Sequence, residues 1–199
     1  MRVVGGRAGG RRLAVPRGEA VRPTTDKVRE ALFNVLAHRF GDPVPGARVL
    51  DLFAGAGTLG IEALSRGAAE VVFVEADRRH ARVVGENLAA VAGAVEGRGR
   101  VVQRAVEQFL GGALGGALGG EEARFDLVFL DPPYAAGRVA PTLAALARGA
   151  WLADGALVCV EHPAGDDPVS PPPGTEVVFA RVYGGCGLTI LTTVESAGA

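Results

Sequence analysis

The sequence predicts an α/β fold: a mostly parallel seven-stranded sheet with helices on both faces, a C-terminal antiparallel hairpin and a small basic N-terminal extension. Three observations carry that expectation. Short apolar runs alternate with helix-length segments from residue 47 onward. The runs are nearly continuous in apolar character, the pattern of strands covered on both faces by crossover helices. The last two, 176–183 and 188–194, follow each other with no helix between them and read as a hairpin.

The elements follow in order. Residues 1–24 are rich in Gly, Arg and Pro with short apolar pairs (Val3-Val4, Leu13-Ala14-Val15), compatible with a small hairpin or an extended arm. Thr24-Thr25-Asp26 offers an N-cap and a first-turn acid for a helix over 26–39, with Val28, Leu32, Val35 and Leu36 on one stripe. After the turn-rich GDPVPG at 41–46 come a strand at 47–53, a helix at 58–66, a strand at 70–76 and a helix at 78–92. A strand at 100–105, a short helix, a strand at 125–130, a helix at 138–149 and a strand at 155–162 complete the alternation. The low-complexity run GGALGGALGG, 111–120, reads as a mobile surface loop. The chain thus divides by composition into a basic segment, 1–40, and a body, 41–199.

With 199 residues, 48% hydrophobic and 22% charged, the chain is sized for one domain with a sizeable core. Neither a signal-length apolar run nor a stretch of roughly 20 apolar residues is present, so a cytoplasmic protein without a membrane partner is expected. Cys159 and Cys186 are too few for a disulfide framework, and Cys159 with His162 is half of a metal-ligand pattern. Both cysteines read as reduced structural residues, and no metal is expected. The net charge of −1 hides an asymmetry. Residues 1–40 carry nine Lys or Arg against three acids, leaving that segment +6 and the rest −7. A basic arm on an acidic body suits a polyanion, since each phosphate neutralised releases counterions; a solvated basic face is the plainer reading.

Ligands of such sheets bind beyond the carboxyl ends of the strands. In VLDLFAGAGTLGIEAL (49–64), Asp51 closes a strand, Gly55 and Gly57 permit a tight turn, and Thr58 opens a helix whose N-terminus favours an anionic group. Glu75 closes the next strand, where an acid commonly accepts from ribose hydroxyls. These two ends leave NAD and S-adenosylmethionine both open. Asp51 and Phe53 just before the glycines tilt the choice, because an acid there opposes a pyrophosphate and welcomes a cationic amino acid headgroup. In FDLVFLDPPY (125–134), Pro132 and Pro133 fix the backbone and donate no N–H, and Asp131 adds a carboxylate acceptor. Paired acceptors suit an exocyclic base amine, and Tyr134 can stack on the ring, a contact worth about 1–3 kcal/mol. Holding both N–H bonds turns the nitrogen lone pair out of the ring plane toward an electrophile.

DPPY at 131–134 with DLFAGAG at 51–57 resembles the amino-methyltransferases that modify exocyclic amines of nucleic acid bases. The order VVGGRAGGRRL (3–13), RPTTDKVREALFN (22–34), VLDLFAGAGTLGIEALSRGA (49–68) and FDLVFLDPPY (125–134) is similar to the RsmD family, over about residues 2 to 162. That resemblance implies a Rossmann-like class I methyltransferase fold and transfer of methyl from S-adenosylmethionine to guanine N2 of small-subunit ribosomal RNA, free or in a partly or fully assembled subunit. It implies that Asp51, Phe53, Ala54, Gly55, Gly57, Thr58, Glu75, Ala76, Arg104 and Ala105 surround the cofactor. It gives Asp131, Pro132, Pro133 and Tyr134 the target amine. RNA would meet Arg2, Arg7, Arg11, Arg12, Arg22, Thr24, Lys27 and Arg29, with Pro23 beside the active site. No obligate protein partner is implied. Arg104-Ala105 departs from the family pattern, because a guanidinium cannot accept a bond from the adenine amine. The Gly-rich insert and the tail GGCGLTIL (184–191) depart as well.

Direct transfer needs no histidine base, so His38, His80 and His162 read as structural. A DNA or other RNA amino-methyltransferase acting on adenine N6 or cytosine N4 would use the same loop, but a DNA enzyme usually carries a separate target-reading domain. A nicotinamide-dependent oxidoreductase leaves DPPY without a task, and a non-catalytic RNA-binding protein would have no need of the intact loop.

Overall fold

The computed structural model describes residues 1–16, 24–111, 124–133, 137–149, 151–166 and 168–194. Its elements are α1 (Thr24–Arg39), β1 (Arg48–Leu52), α2 (Thr58–Ser65), β2 (Glu70–Glu75), α3 (Arg78–Val91), β3 (Arg98–Gln103), α4 (Val106–Gly111), β4 (Phe125–Leu130), α5 (Val139–Arg148), β5 (Leu152–Pro163), β6 (Thr175–Tyr183) and β7 (Cys186–Thr193). The seven strands form one sheet in the order β3-β2-β1-β4-β5-β7-β6. The first five run parallel, and β7 inserts antiparallel between β5 and β6. The chain reverses its winding between β1 and β4, so a crevice opens beyond their carboxyl ends.

Burial follows position in the sheet. β1, β2 and β4 are almost wholly buried, as their continuous apolar sequences require. The edge strand β3 is largely exposed, and it starts at Arg98 rather than residue 100. The reason is ionic: Arg98 Nε reaches Glu70 Oε1 at 3.1 Å while Arg48 Nε reaches Glu70 Oε2 at 3.1 Å, pinning the start of β3 to β2. Partial burial opposes ionisation of Glu70, but Arg98 and Arg48 outweigh it and hold the carboxyl below its ordinary range. At the other edge, Tyr183 pairs with Cys186 across Gly184-Gly185, a two-residue hairpin.

Two layers of helices flank the sheet. On one face α1, α2 and α3 bury Leu32, Phe33, Ile61, Leu64 and Val84 against Val49, Phe73, Phe129 and Ile190, with the Phe33 and Phe129 rings 5.7 Å apart. On the other, Phe109 of α4 and Leu143 and Leu146 of α5 pack with Trp151 on Leu50, Val72 and Val128. Cys159 and Cys186 are buried outside any disulfide, and burial pushes the Cys159 thiol up. Among the described residues, no helix is long and apolar enough to cross a membrane.

The basic segment begins as a hairpin closed by an Arg2–Arg12 bridge, and Val3, Ala8 and Leu13 enter the same core as α1 and α2. The described residues 1–16 and 24–40, set apart in sequence by their charge, therefore share the core of the body. Its inner anchor is Glu62 of α2, which accepts from the Val4 and Gly5 N–H groups at 2.7 and 2.8 Å. Ser65 adds a second, its Oγ accepting from the Ala8 N–H at 2.9 Å.

Gly60 shows why α2 lies so close to β2. A Cβ there would stand 2.3 Å from Phe73 Cε1 and 2.7 Å from Val71 Cγ1, both on buried strand residues. Gly60→Ala is expected to lower stability by about 1–3 kcal/mol through overpacking, an effect larger than the helix propensity alanine brings. The urea midpoint measures it, and an unchanged midpoint contradicts the close approach.

Candidate active site

The strands deliver their carboxyl ends in spatial order, and each carries one of the residues singled out in sequence. Beyond β3 lies Arg104, whose backbone N–H donates to the Glu75 carbonyl at 2.9 Å while its guanidinium is exposed. The neighbouring Ala105 carbonyl accepts from the Phe109 N–H and opens α4. Glu75, closing β2, is 9% exposed. Its Oε2 accepts from the Gly55 N–H and its Oε1 from the Asp77 N–H, both at 2.8 Å, and Ala76 beside it is exposed. These bonds fix the carboxylate at the rim, and each oxygen keeps a further lone pair for a hydroxyl donor.

The turn after β1 is built around positive φ. Gly57, at 76°, caps α2 with no side-chain bond, and Thr58 follows half-buried. Gly55, at 55°, faces open space: a Cβ there would meet nothing nearer than the Phe53 carbonyl at 4.0 Å. Phe53 itself takes φ 59°, a strained conformation for an aromatic residue, of the kind that concentrates at functional sites. Its ring lies 5.8 Å from the Arg138 guanidinium carbon, at the start of α5. Ala54 is half-buried, and its N–H bonds the Val74 carbonyl at 3.1 Å. Asp51 is buried, and its Oδ2 accepts from the Gly60 N–H at 3.0 Å. Burial pushes its carboxyl well up against that hydrogen bond, and the charges of Asp131, Glu75 and Glu161 push it further.

Beyond β4, Asp131 and Pro133 are exposed and Pro132 is buried. Tyr134 lies outside the described residues. Pro132, Pro133, Arg138, Glu161, Pro163 and Val169 line part of a cleft of about 470 Å³, within the range of small-molecule sites. Glu161, near the end of β5, was given no role in the sequence reading. The signal was present, because GALVCVEH carries its acid near the strand end as the other three strands do. Burial pushes the Glu161 carboxyl up to about 8, with the Asp131 charge adding; the Cys186 thiol, 3.6 Å from Oε2, and Arg29 act against it. Asp51, Glu75, Asp131 and Glu161 therefore crowd four carboxyl groups along one rim, a repulsion that either a bound proton or a cationic ligand relieves.

The sign of the Glu161 shift gives a stability prediction. A carboxyl raised from 4.5 to about 8 on folding favours the native state below 4.5 and withdraws that support as pH rises toward 8. Glu161→Gln should flatten this decline across the same window in thermal melts. Parallel melting curves for both proteins would contradict it.

The expected RNA residues divide. Arg2, Arg7, Arg11, Arg12 and Lys27 are exposed. Arg7 pairs with Glu96, Arg2 donates to the Gly10 carbonyl at 2.9 Å, and Arg11 donates to the Ala90 carbonyl at 2.5 Å. Arg29, expected on the RNA face, is 2% exposed, so its guanidinium does not reach a phosphate. It bonds the Arg2 carbonyl at 2.7 Å and Asp26 Oδ1 at 2.8 Å, and its Nε lies 3.8 Å from Glu62 Oε2. Arg22 and Pro23 lie outside the described residues, and Thr24 is the first residue of α1. Asn87 of α3 was not anticipated. Its amide bonds the Ala14 N–H and carbonyl at 2.7 and 3.0 Å and the Ala56 carbonyl at 2.9 Å, tying the arm to the glycine turn.

This strand order, with a glycine turn after β1, an acid closing β2 and Asp-Pro-Pro after β4, defines a Rossmann-like class I methyltransferase. The comparisons narrow that class. The chain belongs to the RsmD family, whose family model, described as Conserved hypothetical protein 95, matches residues 1–192. It is 41% identical over 161 residues to ribosomal RNA small subunit methyltransferase D of Escherichia coli strain K12, covering 81% of this chain and 74% of that one. The Haemophilus influenzae protein of the same name is 35% identical, with 81% and 78% covered. The solved structure of Escherichia coli yhhF superposes with a TM-score of 0.79 at 36% identity, covering 97% of each chain.

Proposed function

We propose that this protein transfers a methyl group from S-adenosylmethionine to the N2 amine of a guanine in small-subunit ribosomal RNA, in the cytoplasm. The observation that carries the reading is the Asp131-Pro132-Pro133 turn at the β1/β4 switch point, on a rim of four carboxyl groups. The residues fit the cofactor: the space over Gly55 is open, Glu75 is fixed at the end of β2, and the surrounding acids favour a cation. The cofactor supplies a methyl group bonded to a positively charged sulfur. Phe53, Ala54, Gly55 and Gly57 would wrap it, with Glu75 on its ribose and Thr58 at the helix end that favours its carboxylate.

The chain's own part is orientation. Asp131 and the Pro132 carbonyl accept the two N–H bonds of the amine and turn its lone pair toward the methyl carbon. Tyr134 stacks on the base once it leaves its helix, an extrusion costing a few kcal/mol that an unpaired site lowers. The exposed arm residues Arg2, Arg11, Arg12 and Lys27 meet phosphate. Replacing Arg12 and Lys27 with Gln should weaken RNA binding and flatten its salt dependence by about 1.4–1.8 in slope. An unchanged slope removes them from the interface.

The deciding experiment incubates the protein with radiolabelled S-adenosylmethionine and either naked small-subunit RNA, assembled subunits or DNA. Digestion to nucleosides identifies the product. Label in N2-methylguanosine supports the reading, and the better of the two RNA forms identifies the substrate. Label in N6-methyladenosine, in N4-methylcytidine or in DNA overturns it.

A further inference from the structure

An amine clamp by itself does not choose a base. Guanine N2, adenine N6 and cytosine N4 each offer two N–H bonds, and the acceptors at Asp131 and Pro132 would hold any of them. The ring beside the amine separates them. Next to guanine N2 stand the N1–H donor and then the C6 carbonyl, whereas adenine and cytosine place an acceptor nitrogen beside the amine. A residue that reads this difference must neighbour Asp131, face the cleft that Pro132 and Pro133 line and offer an acceptor to N1–H.

Glu161 meets the three conditions. Leu130 of β4 pairs with Val160 of β5 in parallel register, so Asp131 and Glu161 take the next, adjacent positions. Glu161 lines the cleft with Pro132 and Pro133, and it is half-buried. Its Oε2 lies 3.6 Å from the Cys186 thiol, which steadies the side chain. We propose that Glu161 selects guanine by accepting its N1–H and donating to its O6 beside the amine held at Asp131, a role that rests on the guanine-N2 reading above.

A neutral carboxyl presents a donor and an acceptor side by side, the complement of the N1–H and C6=O of guanine. Burial favours that neutral form. The groups around Glu161 act on it from several elements: Asp131 of β4, Asp51 of β1, Cys159 of its own strand, Cys186 of β7 and the cationic Arg29 of α1. Adenine would bring an acceptor and a C–H to this position, and cytosine two acceptors. In both cases the acceptor oxygen of Glu161 has no N–H to meet.

The test uses the full chain and two RNA substrates that differ at the methylated position, carrying guanine or 2-aminopurine. The analogue keeps the N2 amine and lacks both N1–H and O6. Wild type should favour guanine by about 10- to 100-fold in kcat/KM, and this preference should fall as pH rises above about 8. Glu161→Gln offers the same donor and acceptor without a titratable proton, so it should keep the preference and lose its pH dependence. Glu161→Ala should erase the preference, with S-adenosylhomocysteine affinity and the thermal melt serving as controls for the fold. Undiminished preference in Glu161→Ala overturns this inference alone, and so does equal loss in the Gln variant. Failure of wild type to methylate guanine overturns the function reading and this one with it.

Discussion

Asp131→Ala is expected to reduce methyl transfer by at least about 10²–10³-fold, the loss that follows removal of one preorganised polar partner at a reacting centre. The base amine is a weak nucleophile because its lone pair is delocalised into the π system of the ring, and a free or half-held amine stays in that conjugated state. Asp131 is exposed at the rim and does not form part of the glycine turn, where Glu75 and Asp51 hold the Gly55 and Gly60 N–H groups. Affinity for S-adenosylhomocysteine, read by calorimetry, should therefore change little. Removing Asp131 also takes a negative charge away from Glu161 and Asp51, so both should ionise at lower pH than in wild type. Single-turnover methylation separates chemistry from binding. Full turnover in the variant would refute the amine clamp, and loss of cofactor affinity equal to the loss of rate would reassign Asp131 to the cofactor.

Glu62→Ala is expected to cost about 3–5 kcal/mol of stability, the loss typical of breaking a buried ion pair from one side. Glu62 is 1% exposed and holds four partners: the Val4 and Gly5 N–H groups, Arg66 Nε at 2.9 Å and Arg29 Nε at 3.8 Å. Its removal leaves two backbone donors and the buried Arg29 guanidinium short of an acceptor. Arg29 Nε already lacks a hydrogen bond among the described residues, so the site has nothing in reserve. The hairpin should come loose first, exposing the bonds after Arg11 and Arg12 to trypsin. Denaturant midpoints read the stability and timed digestion reads the hairpin. An unfolding free energy within about 0.5 kcal/mol of wild type, the scatter of surface substitutions, contradicts the hub role.

How far each feature could be read in advance follows from the range of the force behind it. β1, β2 and β4 were legible because strands buried on both faces leave a local apolar run, bounded by turn residues. β5 began earlier than expected, at Leu152, and its pairing with β4 shifts register between Phe125 and Leu127. The sign was local, because Gly155, at φ 71° inside the strand, is the residue type a bulge favours, and a strand read as starting at 155 made it merely the first residue. The hairpin of residues 1–13 was one of two possibilities, since its few apolar residues matter only once α1 and α2 are there to cover them. Arg29 was misjudged because a buried arginine and a phosphate-binding one look alike in sequence. Glu161 was passed over because its position beside Asp131 arises from strand pairing and not from chain proximity.

The sequence by itself determined the alternation of strands and helices, the glycine turn, the acids that close the strands and the Asp-Pro-Pro turn, because each depends on residues within a few positions of one another. Only the tertiary structure decided which charges meet. It placed Glu161 beside Asp131, Arg29 between Glu62 and Asp26, and Asn87 against both Ala14 and Ala56. Electrostatic partners are chosen by distance in space, and in a sheet ordered β3-β2-β1-β4-β5-β7-β6 the neighbours in space are seldom neighbours along the chain.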